Sequence, residues 1–177
     1  MRAYAVLAAL VLALTGAPGA LAQPVQEYEL KTAYLYNFAL LTEWPRGAQP
    51  APGAAFFVCV IGRNPFGNSL AKLEGKPMHG RRVALREVAS AKAARDCHIL
   101  FIASSGAGPV ARILELLDES SVLTVAESHG GGATGAAITL HTMEQRVAFA
   151  VNLGAARRAH LHISPRLLRL AAQVIED

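Results

Sequence analysis

Residues Ala55–Ile61 read AFFVCVI, an apolar and partly β-branched run without a single charged side chain. A strand with one face in water alternates apolar with polar residues. An uninterrupted run belongs to a strand covered on both faces, as in a parallel sheet. His98–Ala103 (HILFIA) is a second run of this kind. Between the two lie a turn over Gly62–Gly67, a short helix over Phe66–Leu73 ended by Gly75, an alternating strand over Arg82–Val88 and an alanine-rich helical turn over Ser90–Arg95. Beyond them, Pro109 opens a helix over Val110–Leu117 with Ile113, Leu114 and Leu117 on one face, and Val122–Val125 is a fourth short strand. Strands that alternate with helices predict a mainly parallel sheet flanked by helices.

The two ends complete the fold class. Leu30, Ala33, Tyr34, Phe38 and Leu41 recur at helical spacing, which predicts a helix over Gln26–Trp44. Pro45 ends it, because the residue before a proline is driven out of the helical region. Arg46–Gly53 reads as a surface connection. Near the C-terminus, Ala137–His141 and Arg146–Val151 are two strands joined by Thr142–Gln145, a hairpin that gives the sheet an antiparallel edge. Asn152 caps a short helix through Arg158, and Ser164-Pro165 starts a last helix over Arg166–Ile175. The expected architecture is therefore α/β, with a C-terminal antiparallel hairpin and two C-terminal helices.

The first residues read as an export signal. Arg2 precedes an apolar run, Ala3–Leu14, and Thr15, Gly16, Pro18 and Gly19 break it. Ala20-Leu21-Ala22 supplies a small-x-small cleavage pattern, so residues 1–22 are expected to be removed. The apolar run is about 12 residues against the roughly 20 that span a bilayer, which disfavours a retained anchor. No second long apolar run follows, so the mature chain, residues 23–177, is expected to be one periplasmic domain that does not span the membrane. Lys and Arg number 17 against 13 Asp and Glu, too small and too scattered an excess to point to nucleic acid. Cys59 and Cys97 are the two cysteines. In an oxidising compartment they are most simply one disulfide, with two buried free thiols as the alternative.

No catalytic constellation is legible. Gly62–Gly67 has the context of a phosphate loop, but Asn68 stands where the lysine is needed. His129-Gly130-Gly131-Gly132 matches an esterase oxyanion motif, yet no G-x-S-x-G elbow accompanies it. The histidines lack metal-ligand spacing, and no metal or cofactor is expected; His98 reads as a satisfied core residue. Ser104 ends a parallel strand, where ligands collect in α/β sheets, but no base stands near it in sequence. Arg157, Arg158, Arg166 and Arg169 concentrate charge in the C-terminal helices, read as a solvated face or as a surface for an acidic partner or an anionic ligand. Trp44 is either helix-end packing or an interface anchor.

Taken in order, these segments resemble the YfiR family of bacterial periplasmic proteins. The resemblance rests on Lys31–Phe38 (KTAYLYNF) with Glu43-Trp44-Pro45, on Cys59–Gly62 with Asn64–Gly67, and on Leu73–Lys76 with Gly80-Arg81. It continues through Cys97–Ile102 and Val122–Val125 and closes with Val151–Arg158 and Ile163–Leu170. It implies an α/β domain with a disulfide at Cys59 and Cys97, and a non-enzymatic repressor. The partner implied is an inner-membrane diguanylate cyclase, held off through its periplasmic sensor domain, so that cyclic-di-GMP and biofilm output fall. An OmpA-like outer-membrane lipoprotein that sequesters the repressor, and a homodimer, stand as further candidate partners. Asn37, Trp44, Phe66, Gly67, Ser104, Asn152 and Arg157 are the candidate ligand or partner surface. If the chain instead binds a small molecule, Phe66, Gly67, Ser104, Asn152 and Arg157 are expected to line one pocket. The chain departs from the family pattern in its glycine-rich loop over Ser128–Ala136, in lacking a second cysteine pair, and in Pro165.

Overall fold

In the computed structural model, residues 22–105, 107–128, 132, 134–143 and 146–176 are described. The segment read as an export signal therefore lies, but for Ala22, outside the described residues, as does the His129–Gly132 motif apart from Gly132. The chain begins with α1 (Ala22–Leu40), β1 (Thr42–Glu43), β2 (Phe56–Ile61), β3 (Pro77–Met78) and β4 (Arg81–Val88). It continues through α2 (Ala91–Ala94), β5 (Ile99–Ile102), α3 (Val110–Leu116), β6 (Leu123–Ser128), β7 (Ile138–Met143) and β8 (Arg146–Asn152). It closes with α4 (Leu153–Arg158), β9 (His162–Ile163), α5 (Pro165–Leu168) and β10 (Gln173–Ile175).

Eight of these strands form one sheet in the order β10-β8-β7-β6-β5-β2-β4-β3. The neighbours from β4 through β2, β5 and β6 to β7 are all parallel, and β7–β8 is the antiparallel hairpin. The apolar runs behave as their composition requires. Val58 and Val60 of β2, with Ile99 and Phe101 of β5, enter a core shared with α1 residues Leu35 and Phe38. Cys59, Ile61, Leu100 and Ile102 point the other way, into a second core with Ala91 and Ala94 of α2 and Ile113 of α3. Alternation with period two fills both faces, so both must be apolar. A Cys59–Cys97 disulfide, Cα–Cα 6.0 Å, lies within the second core.

Four local expectations need correction. α1 stops at Leu40 rather than running to Trp44, because Thr42 and Glu43 pair antiparallel with Ile163 and His162 and the Ser164 N–H donates to the Leu41 carbonyl at 2.9 Å. Over Phe66–Leu73 only Leu70–Leu73 is helical, as a 3-10 turn. The hairpin ladder extends to the Met143–Arg146 pair, so Thr142 and Met143 belong to the strand; residues 144 and 145 lie outside the described residues. The last helix ends at Leu168, and Gln173–Ile175 is instead a strand parallel to β8. The free backbone of β8 supplies a ladder there, and a helix over the same residues would leave that edge unpaired. The caps hold as expected: Asn152 Oδ1 accepts from the Ala155 N–H at 2.8 Å, and Ser164 Oγ from the Leu167 N–H at 3.3 Å.

The order β4-β2-β5 makes the carboxyl ends of β2 and β5 the switch point where α/β sheets open a ligand crevice. Here it is shut. The Arg63 N–H donates to the Ser105 carbonyl at 2.8 Å. Gly62, at φ +93°, lies so close that a Cβ there would stand 2.7 Å from the Ser105 oxygen and 2.9 Å from the Ala107 nitrogen. Gly62→Ala is expected to cost about 2–3 kcal/mol through strain and clash together, read as a lower midpoint in denaturant unfolding. An unchanged midpoint would mean that the two loops are not locked.

Candidate functional site

The residues singled out in the sequence separate into distinct places. Phe66 is buried, edge-on to Tyr28 (centroids 5.3 Å) and to Phe101 (4.7 Å), and its N–H donates to Asn64 Oδ1 at 2.9 Å. It fills the switch point rather than lining it. Gly67, at φ +53°, and Ser104 are exposed on the same rim, at the carboxyl ends of the parallel strands. Asn152 and Arg157 are not with them. β8 runs against β7, and the Asn152 N–H donates to the Ala137 carbonyl, at the opposite rim of the sheet. The pocket expected from Phe66, Gly67, Ser104, Asn152 and Arg157 is therefore not assembled. Arg157 instead donates from Nη2 to the Glu176 carbonyl at 2.6 Å. Asn37 lies exposed on α1, its Nδ2 donating to the Ala33 carbonyl at 3.0 Å.

On the carboxyl rim, α1 and the ends of β6 and β7 enclose a cleft of about 260 Å³ lined by Glu27, Tyr28, Lys31, Glu127, Ser128, Leu140, His141 and Thr142. Its floor is ionic. Lys31 Nζ bonds Glu127 Oε1 at 2.7 Å, and both side chains are almost wholly buried. Lys31 also pairs with Glu27 and sits over the Tyr28 ring, while Thr142 Oγ1 donates to Glu27 at 2.8 Å. Burial works against the Lys31 charge, but the bonds to Glu127 and Glu27 outweigh it and hold the ammonium above its ordinary range. Burial, reinforced by the Glu127 charge, raises the Tyr28 hydroxyl. The floor of the cleft is thus a set of paired charges that ties α1 to the sheet. An adjoining groove of about 400 Å³ runs past Tyr28, Phe66, Gly67 and Lys72.

On the amino rim, a cavity of about 320 Å³ is lined by Glu43, Trp44, Gln49, Pro50, Phe56, His79 and Arg81. Trp44 stands edge-on to Phe56 (5.2 Å, 88°), and its indole nitrogen has no hydrogen-bond partner among the described residues. Gln49 Nε2 donates to the Trp44 carbonyl at 3.1 Å. His79, at φ +47°, donates from Nε2 to the Ala39 carbonyl at 2.8 Å, and Arg81 reaches the Pro50 carbonyl. Trp44 is therefore packed rather than displayed, with only 6% of its surface exposed.

His98 stacks under Phe56 at 4.5 Å, and its Nδ1 accepts the Phe57 N–H at 2.9 Å, which takes the neutral ring. Burial pushes its pKa down from 6.5 to about 4. Between those values the unfolded chain binds a proton that the folded chain refuses. Stability should then fall as pH drops through that window, by at most about 1.4 kcal/mol per unit, and this term is flat above it. Denaturant titrations of wild type and His98→Gln across the window test the sign: the variant should lack the added slope. Identical slopes would contradict a neutral buried His98.

Sequence reasoning missed Lys31, Glu127 and His79. Lys31 carried a usable signal, since it stands between Tyr28 and Leu35 on the stripe that α1 buries. Among the described residues no group of three or more His, Cys, Asp or Glu is placed to hold a metal, and no helix is long and apolar enough to cross a membrane.

Comparison with known proteins agrees with the resemblance. A family model described as YfiR/HmsC-like matches residues 28–172. The crystal structure of a conserved domain protein from Vibrio cholerae O1 biovar El Tor superposes with a TM-score of 0.54 at 9% identity, over 83% of this chain and 60% of that one. The ABC domain from Streptococcus pneumonia in complex with L-Trp gives 0.47 at 10% identity, over 68% of this chain and 55% of that one. This chain thus spans less than two thirds of either protein, and the Vibrio structure speaks to the α/β fold alone. No curated protein matches the sequence.

Proposed function

The chain belongs to the YfiR/HmsC-like family, and from that membership we propose that it is an exported periplasmic regulator of cyclic-di-GMP signalling. It works without catalysis, by contact with the periplasmic sensor domain of an inner-membrane diguanylate cyclase, which it holds off. The family match over residues 28–172 carries this reading. The filled switch point supports it, since Phe66 and the close Gly62–Ser105 approach occupy the place where an α/β sheet opens a ligand crevice. Release of the regulator, in the simplest case by an OmpA-like lipoprotein that binds it, frees the cyclase. The expected result of deleting the gene is raised cyclic-di-GMP and biofilm, restored by the exported chain and not by a chain lacking residues 1–22. Unchanged cyclic-di-GMP on deletion would sink the proposal.

The aromatic cavity around Trp44 favours one second reading, a small-molecule sensor. Isothermal titration with amino acids and cyclic nucleotides separates the two. Binding that is lost in Trp44→Leu supports the sensor, and silence across the panel counts against it.

A further inference from the structure

The charge of the chain is unevenly placed. Residues 23–145 hold 11 Lys and Arg against 11 Asp and Glu, whereas residues 146–175 hold five Arg and no acidic residue. Two of those five are engaged: Arg157 donates to the Glu176 carbonyl at 2.6 Å, and Arg158 stands 3.6 Å from Asp118. Arg146 opens β8 at the carboxyl rim. Arg166 and Arg169 remain, both exposed, and neither guanidinium has a partner among the described residues.

The local fold puts these two together. α5 follows the Ser164 cap, and its helical backbone carries on to Arg169, at φ −67° and ψ −20°. The Leu170 N–H then donates to the Leu167 carbonyl at 3.0 Å, so the turn closes one residue later. Arg166, Arg169 and Leu170 are spaced by three and four residues and share the outer face of this turn. Leu167, 1% exposed, plugs the inner face into the core. Leu170 is 63% exposed, more than any other large apolar side chain among the described residues. The turn is pinned on both sides. The Ser164 N–H donates to the Leu41 carbonyl at 2.9 Å, and the Ala172 N–H to the Phe149 carbonyl at 2.9 Å.

We propose that this turn is a docking surface for an anionic phospholipid bilayer, with Arg166 and Arg169 among the headgroup phosphates and Leu170 dipping toward the acyl boundary. A projecting apolar side chain flanked by unpaired cations suits a lipid interface, which offers phosphate to the cations and an apolar layer just beneath them. An acidic protein surface would meet the same arginines but leave Leu170 against carboxylates. None of the three residues lines a cavity described above. For an exported regulator of an inner-membrane enzyme, such a contact confines the search for its target to the plane of the membrane. The inference goes beyond the proposed partner and does not need it: vesicle binding is read without any cyclase, so either can fail alone.

Flotation of the disulfide-bonded chain, residues 23–177, with lipid vesicles tests this. At about 0.1 M salt, wild type should float with an equal mixture of phosphatidylcholine and phosphatidylglycerol, stay behind with phosphatidylcholine alone, and detach as added salt screens the phosphates. Arg166→Gln/Arg169→Gln should weaken binding about 30-fold, roughly fivefold for each cation removed. Arg63→Gln/Arg146→Gln removes the same charge from the carboxyl rim, more than a Debye length of about 10 Å away, and should bind within about twofold of wild type. Leu170→Ser should weaken binding and leave its salt dependence unchanged. All three variants change exposed side chains and should keep the thermal unfolding of wild type. A wild type that ignores anionic vesicles, equal flotation with neutral ones, or an equal loss in the carboxyl-rim pair would each overturn the proposal. The first of these, together with a cyclase pull-down lost in Arg166→Gln/Arg169→Gln, would assign the turn to an acidic protein instead.

Discussion

A Cys59→Ala/Cys97→Ala chain is expected to lose about 4 kcal/mol of stability, the chain-entropy value for a closed loop of this size. The bond joins β2 to Cys97, two residues before β5, across a sequence separation of 38. That loop carries β3, β4 and α2, the part of the sheet beyond the switch point. Without the link, the unfolded chain regains the freedom of that whole loop. Both cysteines are buried, at 0% and 4% exposure, so the substitution also leaves the second core short of two sulfur atoms. A domain of this size is stable by only about 5–15 kcal/mol, so the loss takes a large share of the total. Denaturant midpoints of wild type and variant measure it. On the proposed function the same variant relieves repression, as does reduction of wild type. A variant with full stability and full repression would contradict both roles of the bond.

Breaking the buried ion pair should be nearly as costly. Lys31 is 4% exposed, and Glu127→Ala leaves it Glu27 as its remaining carboxylate. The expected loss is about 3 kcal/mol, the lower end for a buried pair deprived of one partner, because Glu27 still compensates. The double replacement Lys31→Met/Glu127→Leu removes both charges and is expected to recover most of that loss. The comparison separates a true ion pair from simple packing. If the double variant were as unstable as the sum of the two single ones, the coupling would be absent. Because the folded Lys31 pKa is raised, its contribution is complete below the ordinary lysine value of 10.5 and fades as pH rises through the folded value. The loss in Glu127→Ala should therefore be undiminished at neutral pH.

Much of the fold was legible because its signals are local. The runs at Ala55–Ile61 and His98–Ala103 are apolar throughout, and only a strand covered on both faces tolerates that. The caps at Asn152 and Ser164 announce helix starts with a side chain three residues from the N–H it accepts. What escaped depends on distant partners. Nothing near Gln173 tells that the edge of β8 lies open beside it, so the spacing of Leu167, Leu170, Ala171 and Val174 read as a helix. Thr42 and Glu43 leave the helical pattern only because Ile163 and His162 arrive to pair with them. The candidate site suffered most from this. Ser104 and Asn152 each end a strand, and periodicity cannot say that β8 runs backwards and sets them on opposite rims. Glu127 looked like an ordinary residue beyond a short strand until β6 extended to include it and placed it against Lys31.

The most direct test of the regulatory reading is a pull-down from detergent-solubilised inner membranes with the mature chain, residues 23–177, folded and disulfide-bonded, read by mass spectrometry. The account predicts recovery of a diguanylate cyclase that carries a periplasmic sensor domain, with recovery lost when the disulfide is reduced. A folded, disulfide-bonded chain that recovers no such enzyme would contradict it.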